Sequence, residues 1–353
     1  MPIFALGKSL AETLAKEPPF DFFLSITNLT IIPDEIIGLA QKGAINFHDG
    51  PLPQFAGLYA TSWALLNQAT QHGVTWHEMR GGIDKGDILV QQLFDIAAGE
   101  TAFALNVKAY EAGIASFTKL IEAIEANSLQ PRAQNLAEQT YFGKYARPAA
   151  AATLDWNQPA EKLVALVNAL QFGGYANPLA LPKLNVNGRI LTPTAAQPGS
   201  PTTAVPGTIL STDNQSLTVA TANGSIVLAG LQTLDGTAVS PTELTVNQQL
   251  PTLDPATRAA LTALNDKIVR QEGYWLRRLR QLRPVELPYA DRSNTAVGQT
   301  YATATLPLPA GTAGDAHALT AAFAAYLARL SGSDNFDMAL SLPALAEEVG
   351  EFA

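Results

Sequence analysis

The strongest constraint on the fold is an alternation of apolar and amphipathic runs in the N-terminal part of the chain. The run at 20–33 is rich in β-branched and aromatic residues and ends in proline, which is typical of a strand buried on both faces. Strand-like runs also occur at 43–48 and 73–79. Helix-like runs at 34–42 and 59–69 separate these strands. This order predicts an α/β fold on a mostly parallel sheet, with ligands beyond the carboxyl ends of the strands.

The composition indicates a globular protein whose chemistry depends on oxygen and nitrogen groups. Of the 353 residues, 47% are apolar, which is enough for about two or three domains. There is no cysteine, so disulfides and thiolate nucleophiles are excluded. No apolar run approaches the roughly 20 residues that span a bilayer, and a secretory signal is lacking, so we predict a cytoplasmic location without a membrane partner. The net charge of -9 argues against a nucleic-acid partner.

A change of pattern predicts a second domain at 148–250. A helix-like run is followed there by short runs of Val, Ile, Leu and Thr, with turn-forming pairs at 213–214 and 223–224. These features predict a small antiparallel β domain, which we interpret as a barrel. We therefore expect a catalytic domain at 1–147 and a helical or irregular segment at 251–353.

Asn46, His48 and Asp84 are the candidate catalytic residues. Asn46 and His48 lie two positions apart at the end of a predicted strand, so both side chains point the same way. Asp84 lies in a glycine-containing turn before the next apolar run. An amide and an imidazole can stabilise an oxyanion, and a carboxylate can orient the histidine and accept a proton, which suits acyl transfer. Spacing alone leaves open that Asn46 and His48 only satisfy backbone groups in a turn.

Residues 45–96 resemble the catalytic core of the formyltransferases that use 10-formyltetrahydrofolate. This family includes methionyl-tRNA formyltransferase and sugar N-formyltransferases. The resemblance is carried by Asn-x-His at 46–48 with the proline-ended loop after it. Gly-Val-Thr at 73–75 and Asp-x-Gly-Asp at 84–87 complete the pattern. The likeness extends over residues 20–245 and includes the predicted β domain.

The resemblance implies a catalytic trio of Asn46, His48 and Asp84. It also implies 10-formyltetrahydrofolate as the formyl donor, held between the strand ends, and no metal. The residues expected to bind the folate are Ile26, Asn28, Leu29, Gly82, Ile83 and Asp87. The expected fold is a mostly parallel, Rossmann-like sheet, then a small antiparallel β-barrel domain, then a helical or irregular C-terminal segment.

The sequence departs from the family pattern in three ways. Where the family often has His-x-Ser-Leu-Leu-Pro, this chain has His-Asp-Gly-Pro-Leu-Pro at 48–53, and Ala56 replaces the arginine of an Arg-Gly pair. We therefore expect a different acceptor. The family also has βα units before the strand at 20–33, so the N-terminal part of the sheet is expected to be truncated. Residues 251–353 do not resemble the family.

Residues 264–292 resemble the linker and mid-portion that begins condensation-type or adenylation modules of nonribosomal peptide synthetases. A Tyr-Trp pair in a helix-like run precedes Glu-Leu-Pro-Tyr at 286–289. The chain has four histidines and no adjacent pair, so the His-His motif of a condensation domain is missing. We interpret the segment as the start of a truncated downstream module.

This context predicts an aminoacyl group on a carrier protein as the acceptor, with adjacent synthetase modules as partners. Two alternatives stay open. One is an N-formyltransferase that acts on an amino sugar or on methionyl-tRNA, and the other is a non-catalytic docking or spacer domain.

Other polar and aromatic residues have simpler interpretations. His77 follows a predicted strand and could approach the folate, but a place in the core or at the rim of the sheet is favoured. His72 is expected in a loop. Asp87 is expected to hold its turn through backbone hydrogen bonds as well as to line the folate site. Trp63 and Trp156 are core candidates. No cluster has the spacing of metal ligands.

Overall fold

The fold is known from a computed structural model that describes residues 10–175, 177–288 and 316–340. The chain divides into two units, Met1–Asp266 and Lys267–Ala353, which are described separately. The helices are α1 (Leu10–Leu14), α2 (Asp34–Ile37), α3 (Ala60–Leu66), α4 (Ala102–Glu125), α5 (Ala160–Ala169), α6 (Pro255–Arg280) and α7 (Ala316–Ser331). The strands are β1 (Phe22–Ser25), β2 (Gly43–His48), β3 (Ala56–Gly57), β4 (Gln71–Glu78), β5 (Ile88–Asp95), β6 (Tyr141–Phe142), β7 (Leu184–Val186), β8 (Arg189–Thr192), β9 (Ala195–Pro198), β10 (Ile209–Thr212), β11 (Ser216–Thr221), β12 (Gly224–Ala229) and β13 (Gln232–Thr233).

The N-terminal sheet has the strand order β1-β2-β4-β5 and is mixed. β1 and β2 are parallel, whereas β4 is antiparallel to both β2 and β5. The α/β class is confirmed, but the prediction of a mostly parallel sheet is wrong. Helix α3, between β2 and β4, rises only about 10 Å, less than half the length of β4, so it does not return the chain to the starting end of the sheet. The turn at 79–87 between β4 and β5 is too short for a parallel crossover.

Helix α4 covers one face of this sheet. Thr101 caps its N-terminus by accepting a backbone N–H of the first turn at 3.2 Å. The helix approaches the sheet closely, since a Cβ on Gly113 would lie 2.8 Å from the ring of Phe47. Trp76 on β4 is buried under the helix, and its Nε1 donates to Ser116 Oγ at 2.9 Å. The largest side chain of this core therefore has its one polar group satisfied.

The C-terminal part of the first unit consists of two antiparallel sheets and α5. Their strand orders are β10-β11-β12-β9 and β13-β8-β7. Helix α5 packs against β9 and β12, and Trp156 and Leu217 lie in the shared core. The predicted antiparallel strand pairing is confirmed, whereas a separate domain at 148–250 and its closure into a barrel stay predictions. Trp63 is buried in a different core cluster, so Trp63 and Trp156 are both core residues as expected.

The second unit contains the C-terminal half of α6, and α7. Asp337 forms an isolated β-bridge with Pro284. Its carboxylate accepts the Arg283 N–H at 2.9 Å and forms an ion pair with Arg278. Both helices lie in the segment predicted to be helical or irregular, and the character of that segment and its relation to a synthetase module stay predictions. The last position of the predicted turn at 286–289 lies outside the described residues. Within the described ranges, no helix is both long enough and apolar enough to cross a membrane.

Candidate active site

The candidate site lies at the end of β2, between two loops. Asn46 on β2 pairs with Ser25 on β1 and with His77 on β4. The loop at 26–33 follows β1, and the loop at 79–87 follows β4. Both loops therefore begin beside Asn46, which places the predicted folate residues next to the predicted catalytic ones.

The ring of His48 is buried and held in one orientation by its neighbours. Nε2 lies 2.9 Å from Phe55 O, and because a carbonyl only accepts hydrogen bonds, Nε2 carries a proton. Nδ1 lies 3.6 Å from Asp84 Oδ2 and 3.8 Å from Asp49 Oδ1. A Cβ on Gly50 would lie 2.6 Å from Nε2, so only glycine leaves room for the ring. When protonated, His48 would therefore present a second N–H to two carboxylates.

Asp84 is a buried carboxylate in a left-handed backbone conformation, with a φ of 52°. Its Oδ2 accepts the Gly57 N–H at 2.8 Å, and its Oδ1 lies 3.3 Å from His77 Nε2. Burial by itself would raise the pKa of this carboxyl, but the contacts with His77, His48 and the Gly57 N–H outweigh burial and hold the pKa below its ordinary value. Asp84 is therefore ionised at neutral pH.

His77 also belongs to the cluster around Asp84. The expectation that it lies in the core or at the rim of the sheet does not include these contacts. It is buried, and its Nδ1 donates to Glu78 O at 2.8 Å. Its Nε2 lies 3.2 Å from Asn46 Nδ2 and 3.3 Å from Asp84 Oδ1. With a proton on Nδ1, a neutral His77 accepts at Nε2 from Asn46, whereas a charged His77 donates there to Asp84. The pattern that could have found it is Thr-x-His on β4, set antiparallel to Asn-x-His on β2.

The structure thus brings together the three predicted catalytic residues and adds His77. Asn46 is half-buried and the other three are buried, so Asn46 is the member most open to a ligand. Asn46 contacts His77 rather than His48 directly. The cluster supplies an amide donor, two imidazoles and an ionised carboxylate, which together can stabilise an oxyanion and move a proton. Among the described residues, no group of acidic side chains and histidines could hold a metal ion.

Ile26, Asn28 and Leu29 lie on the loop after β1. Ile26 is 46% and Leu29 is 77% exposed, so both present apolar surface beside the strand end. Asn28 is engaged within its own loop, where Oδ1 accepts the Thr30 N–H at 3.1 Å and Nδ2 donates to Thr30 O at 2.5 Å. This loop can therefore offer apolar side chains to a ligand, while the Asn28 amide shapes the turn.

Gly82, Ile83 and Asp87 lie on the loop after β4. Gly82 has a φ of 105°, and Ile83 is 46% exposed. Asp87 holds the turn through its carbonyl, which accepts the Glu78 N–H at 3.0 Å. Its carboxylate Oδ2 accepts from Arg80 Nη2 at 2.6 Å in a partly exposed ion pair. The Asp87 side chain is thus already paired with a cation.

His72 lies within β4, so the prediction that it is a loop residue is wrong. The strand begins at Gln71, before the apolar run from which it was predicted. Burial lowers the pKa of His72 to about 4, although its contact with the Asp49 carbonyl opposes this shift. The ring is therefore neutral at pH 7, and Nε2 donates to Asp49 O at 2.9 Å. Because Asp49 follows His48, this bond anchors the chain directly after the site.

Two protein-family models match the chain. Residues 9–121 match the model described as formyl transferase. Residues 148–249 match the model described as formyl transferase, C-terminal domain. The two matches occur in this order and together cover more than half of the chain.

Solved structures of similar fold include two folate complexes. One is an N-formyltransferase from Helicobacter canadensis in complex with folinic acid and dTDP-3-aminofucose; it is 20% identical, the match covers 63% of this chain and 77% of that chain, and the TM-score is 0.51. The other is HypX from Aquifex aeolicus in complex with tetrahydrofolic acid; it is 18% identical, with 66% and 39% covered and a TM-score of 0.50. At these identities the likeness shows the fold alone.

Proposed function

Because this chain belongs to the formyltransferase family, we propose that it transfers a formyl group from 10-formyltetrahydrofolate to a primary amine. Membership of the family makes it an enzyme of the formyl-transfer class. The proposal rests on one observation, which is that Asn46, His48 and Asp84 lie close together at the end of β2. A spacer domain would have no need to bury an ionised carboxylate between two imidazoles, because burying charge is costly.

The loops beside Asn46 fit a folate donor. Ile26, Leu29 and Ile83 expose apolar surface there, and ligand pockets for flat aromatic molecules are lined mainly by such side chains. The Helicobacter and Aquifex proteins were crystallised with folinic and tetrahydrofolic acid, which supports a folate in this chain too. When bound, 10-formyltetrahydrofolate would supply the formyl carbon as an electrophile.

The proposed reaction is a direct transfer. The amine attacks the formyl carbon, a C–N bond forms, the bond to the folate nitrogen breaks, and one proton moves from the amine to that nitrogen. The Asn46 amide donates to the formyl oxygen as negative charge develops on it, and a protonated His48 would add positive charge close by. Asp84 orients His48 and helps to remove the proton from the amine. His77 contacts both Asn46 and Asp84 and so links the two ends of the cluster.

We propose an aminoacyl group on the phosphopantetheine arm of a carrier protein as the acceptor. The similarity of residues 264–292 to synthetase modules supports this choice. The net charge of -9 works against tRNA, whose binding depends on neutralised phosphates. A nucleotide-linked amino sugar is the second candidate, since the similar Helicobacter enzyme was crystallised with dTDP-3-aminofucose.

An acceptor panel tests this proposal. The purified chain is incubated with 10-formyltetrahydrofolate and, in separate reactions, an aminoacyl-pantetheine, a dTDP-linked amino sugar and methionyl-tRNA. Mass spectrometry is expected to find one formyl group added to the aminoacyl-pantetheine. Formylation of the sugar alone would replace the proposed acceptor by the second candidate. Folate binding without transfer to any amine would contradict the catalytic proposal.

A further inference from the structure

Residues 132–142, here called the clasp, lie between α4 and α5 and contact both sides of the candidate site. The clasp begins with an antiparallel bridge, in which Arg132 and Ile88 exchange hydrogen bonds of 2.8 and 2.9 Å. It ends in β6, which pairs with β3. It falls between the two segments that the family models match.

Gln134 is the residue of the clasp that contacts the turn of Asp84. Its Nε2 donates to Asp84 O at 2.9 Å and to Gly86 O at 2.6 Å, so both amide hydrogens are used. Asp84 is in the left-handed region, which a residue other than glycine adopts only at a cost. Gly86 is packed so closely that a Cβ would lie 1.8 Å from Glu78 O. Gln134 therefore supports a turn whose conformation is unfavourable by itself.

Thr140 makes the corresponding contacts on the side of His48. Its Oγ1 accepts the Phe55 N–H at 2.7 Å, and its carbonyl accepts the next N–H along the chain at 2.9 Å. Phe55 has a φ of 56°, and its carbonyl contacts His48 Nε2. Gly57, two positions later, donates to the carboxylate of Asp84. Thr140 therefore holds residues 55–57 in place. Within this segment the Phe55 carbonyl orients the His48 ring, and the Gly57 N–H donates to the Asp84 carboxylate.

We propose that Gln134 and Thr140 are positioning residues for formyl transfer, acting through Asp84 and His48 respectively. The inference rests on the proposed function, because the groups that they position are the proposed catalytic residues. The hydrogen bonds just described join the two clasp side chains to main-chain atoms, so their effect on the reaction is geometric. Misplacing a reacting group by about 1 Å costs on the order of 10²-fold in rate.

The test compares matched substitutions in the full chain. Gln134→Met keeps the length of the side chain but removes both donors. Gln139→Met is the control, because the Gln139 Nε2 is also buried in the clasp but has no hydrogen-bond partner among the described residues. Thr140→Val keeps the shape and removes the Oγ1 acceptor, which tests the second contact.

In Gln134→Met we expect kcat to fall on the order of 10²-fold with little change in the KM for the formyl donor. We also expect the acid limb of the pH profile of kcat/KM to move to higher pH. The reason is that Asp84 loses the alignment with His77 and Gly57 that keeps its pKa low. Gln139→Met is expected to retain the kcat and the pH profile of the unaltered chain. A loss of rate without a change of pH profile would mean a structural role only and would overturn the inference.

Carboxyl ¹³C NMR titration separates this inference from the proposed function, because it needs no turnover. The Asp84 resonance, assigned with Asp84→Asn, is expected to titrate at higher pH in Gln134→Met and at an unchanged pH in Gln139→Met. An unchanged Asp84 titration in Gln134→Met overturns the inference even if the chain is active. If the unaltered chain transfers no formyl group, the proposed function fails, and the titration still decides the role of Gln134. If Gln134→Met does not fold, Thr140→Val decides, because Thr140 holds the segment whose Gly57 N–H donates to Asp84. A fall in kcat together with an acid limb moved to higher pH supports the inference, and an unchanged kcat or an unchanged pH profile overturns it.

Discussion

At the scale of single residues, one carboxylate organises the candidate site. Asp84 meets His48 through Oδ2 and His77 through Oδ1, and the Gly57 N–H shares Oδ2. A buried carboxylate is tolerated when it is hydrogen-bonded and paired with a cation, and either ring supplies that cation when protonated. The low pKa of Asp84 follows from these contacts, since burial alone would act in the opposite direction. The Asp84 carboxylate therefore contacts both imidazole rings, and its negative charge acts on both of them.

Asn46→Ala tests the oxyanion role of the amide. We expect formyl transfer to fall on the order of 10²–10³-fold, because one donor to a developing oxyanion is worth about 2.7–4 kcal/mol. Steady-state kinetics with the acceptor from the panel measure the effect, and circular dichroism checks that the fold is kept. Turnover equal to that of the unaltered chain would remove Asn46 from the mechanism.

His72→Gln tests the buried imidazole on β4. The pKa of His72 is about 4 in the folded chain, against an ordinary value of 6.5. Between these two pH values the His72 ring therefore binds a proton in the unfolded chain but not in the folded chain. Stability therefore falls as the pH drops from 6.5 towards about 4, by up to about 3 kcal/mol from this group, and no further below it.

Glutamine can keep the donor to Asp49 O but does not titrate. We therefore expect His72→Gln to lose less stability than the unaltered chain over the same pH window. Urea unfolding at several pH values across the window measures the difference. Parallel stability curves for the two proteins would contradict the burial of a neutral His72.

At the scale of elements, the sequence indicated where most of the secondary structure near the site lies, but not its direction. Predicted runs overlap β1, β2, β4 and α3. The prediction that the run at 20–33 is a strand buried on both faces is wrong, because only the four residues of β1 are a strand, three of them are only partly buried, and a mostly exposed loop follows. The run at 34–42, however, forms only the four-residue α2, and no sequence prediction covered α4. Periodicity shows that a run is a strand but carries no information about which way it runs. His77 lies beside Asn46 because β2 and β4 pair in this register, and neither local motif carries the register.

Gly57→Ala tests the pairing of β3 with β6. Gly57 has a φ of 99°, and a Cβ there would lie 2.1 Å from Phe142 O, so an added methyl group must push the two strands apart. Gly99 is the matched control, because it has a φ of 73° and no atom within 4 Å of an added Cβ. Gly99→Ala is expected to cost only the backbone strain, about 1–2 kcal/mol.

Gly57→Ala is expected to cost a further 1–3 kcal/mol or so from the forced contact. It is also expected to reduce formyl transfer, because the Gly57 N–H would no longer reach Asp84. Chemical denaturation of the two variants gives the comparison. Equal losses of stability in Gly57→Ala and Gly99→Ala would show that β3 and β6 are not closely paired.

At the scale of the whole molecule, charge bears on the choice of acceptor. The chain carries a net charge of -9, whereas binding to tRNA rests on basic groups that displace counterions from the phosphates. We therefore expect no tight, salt-sensitive binding of initiator tRNA. Filter binding over a range of salt concentrations measures this, and an affinity that is high and falls steeply with salt would favour the methionyl-tRNA alternative.

The candidate site itself was predictable only in part. Residue types and short spacing singled out Asn46, His48 and Asp84 as candidates, and the resemblance to the formyltransferases was needed to prefer a catalytic role over a turn. The contact of Gln134 with Asp84 joins residues 50 positions apart and has no local pattern. Contacts of this kind depend on the tertiary path of the chain, so the clasp emerges only from the structure.

The most direct test of the proposed function follows a formyl label from donor to amine. The full chain is given 10-[¹³C]formyltetrahydrofolate and the aminoacyl-pantetheine, beside His48→Ala and the control His317→Ala, which alters an exposed histidine on α7. We expect ¹³C-formyl amide from the unaltered chain and from His317→Ala at equal rates. From His48→Ala we expect a rate lower on the order of 10²–10³-fold. Label that stays on the folate in every reaction, or equal rates for His48→Ala and the unaltered chain, would contradict the proposed function.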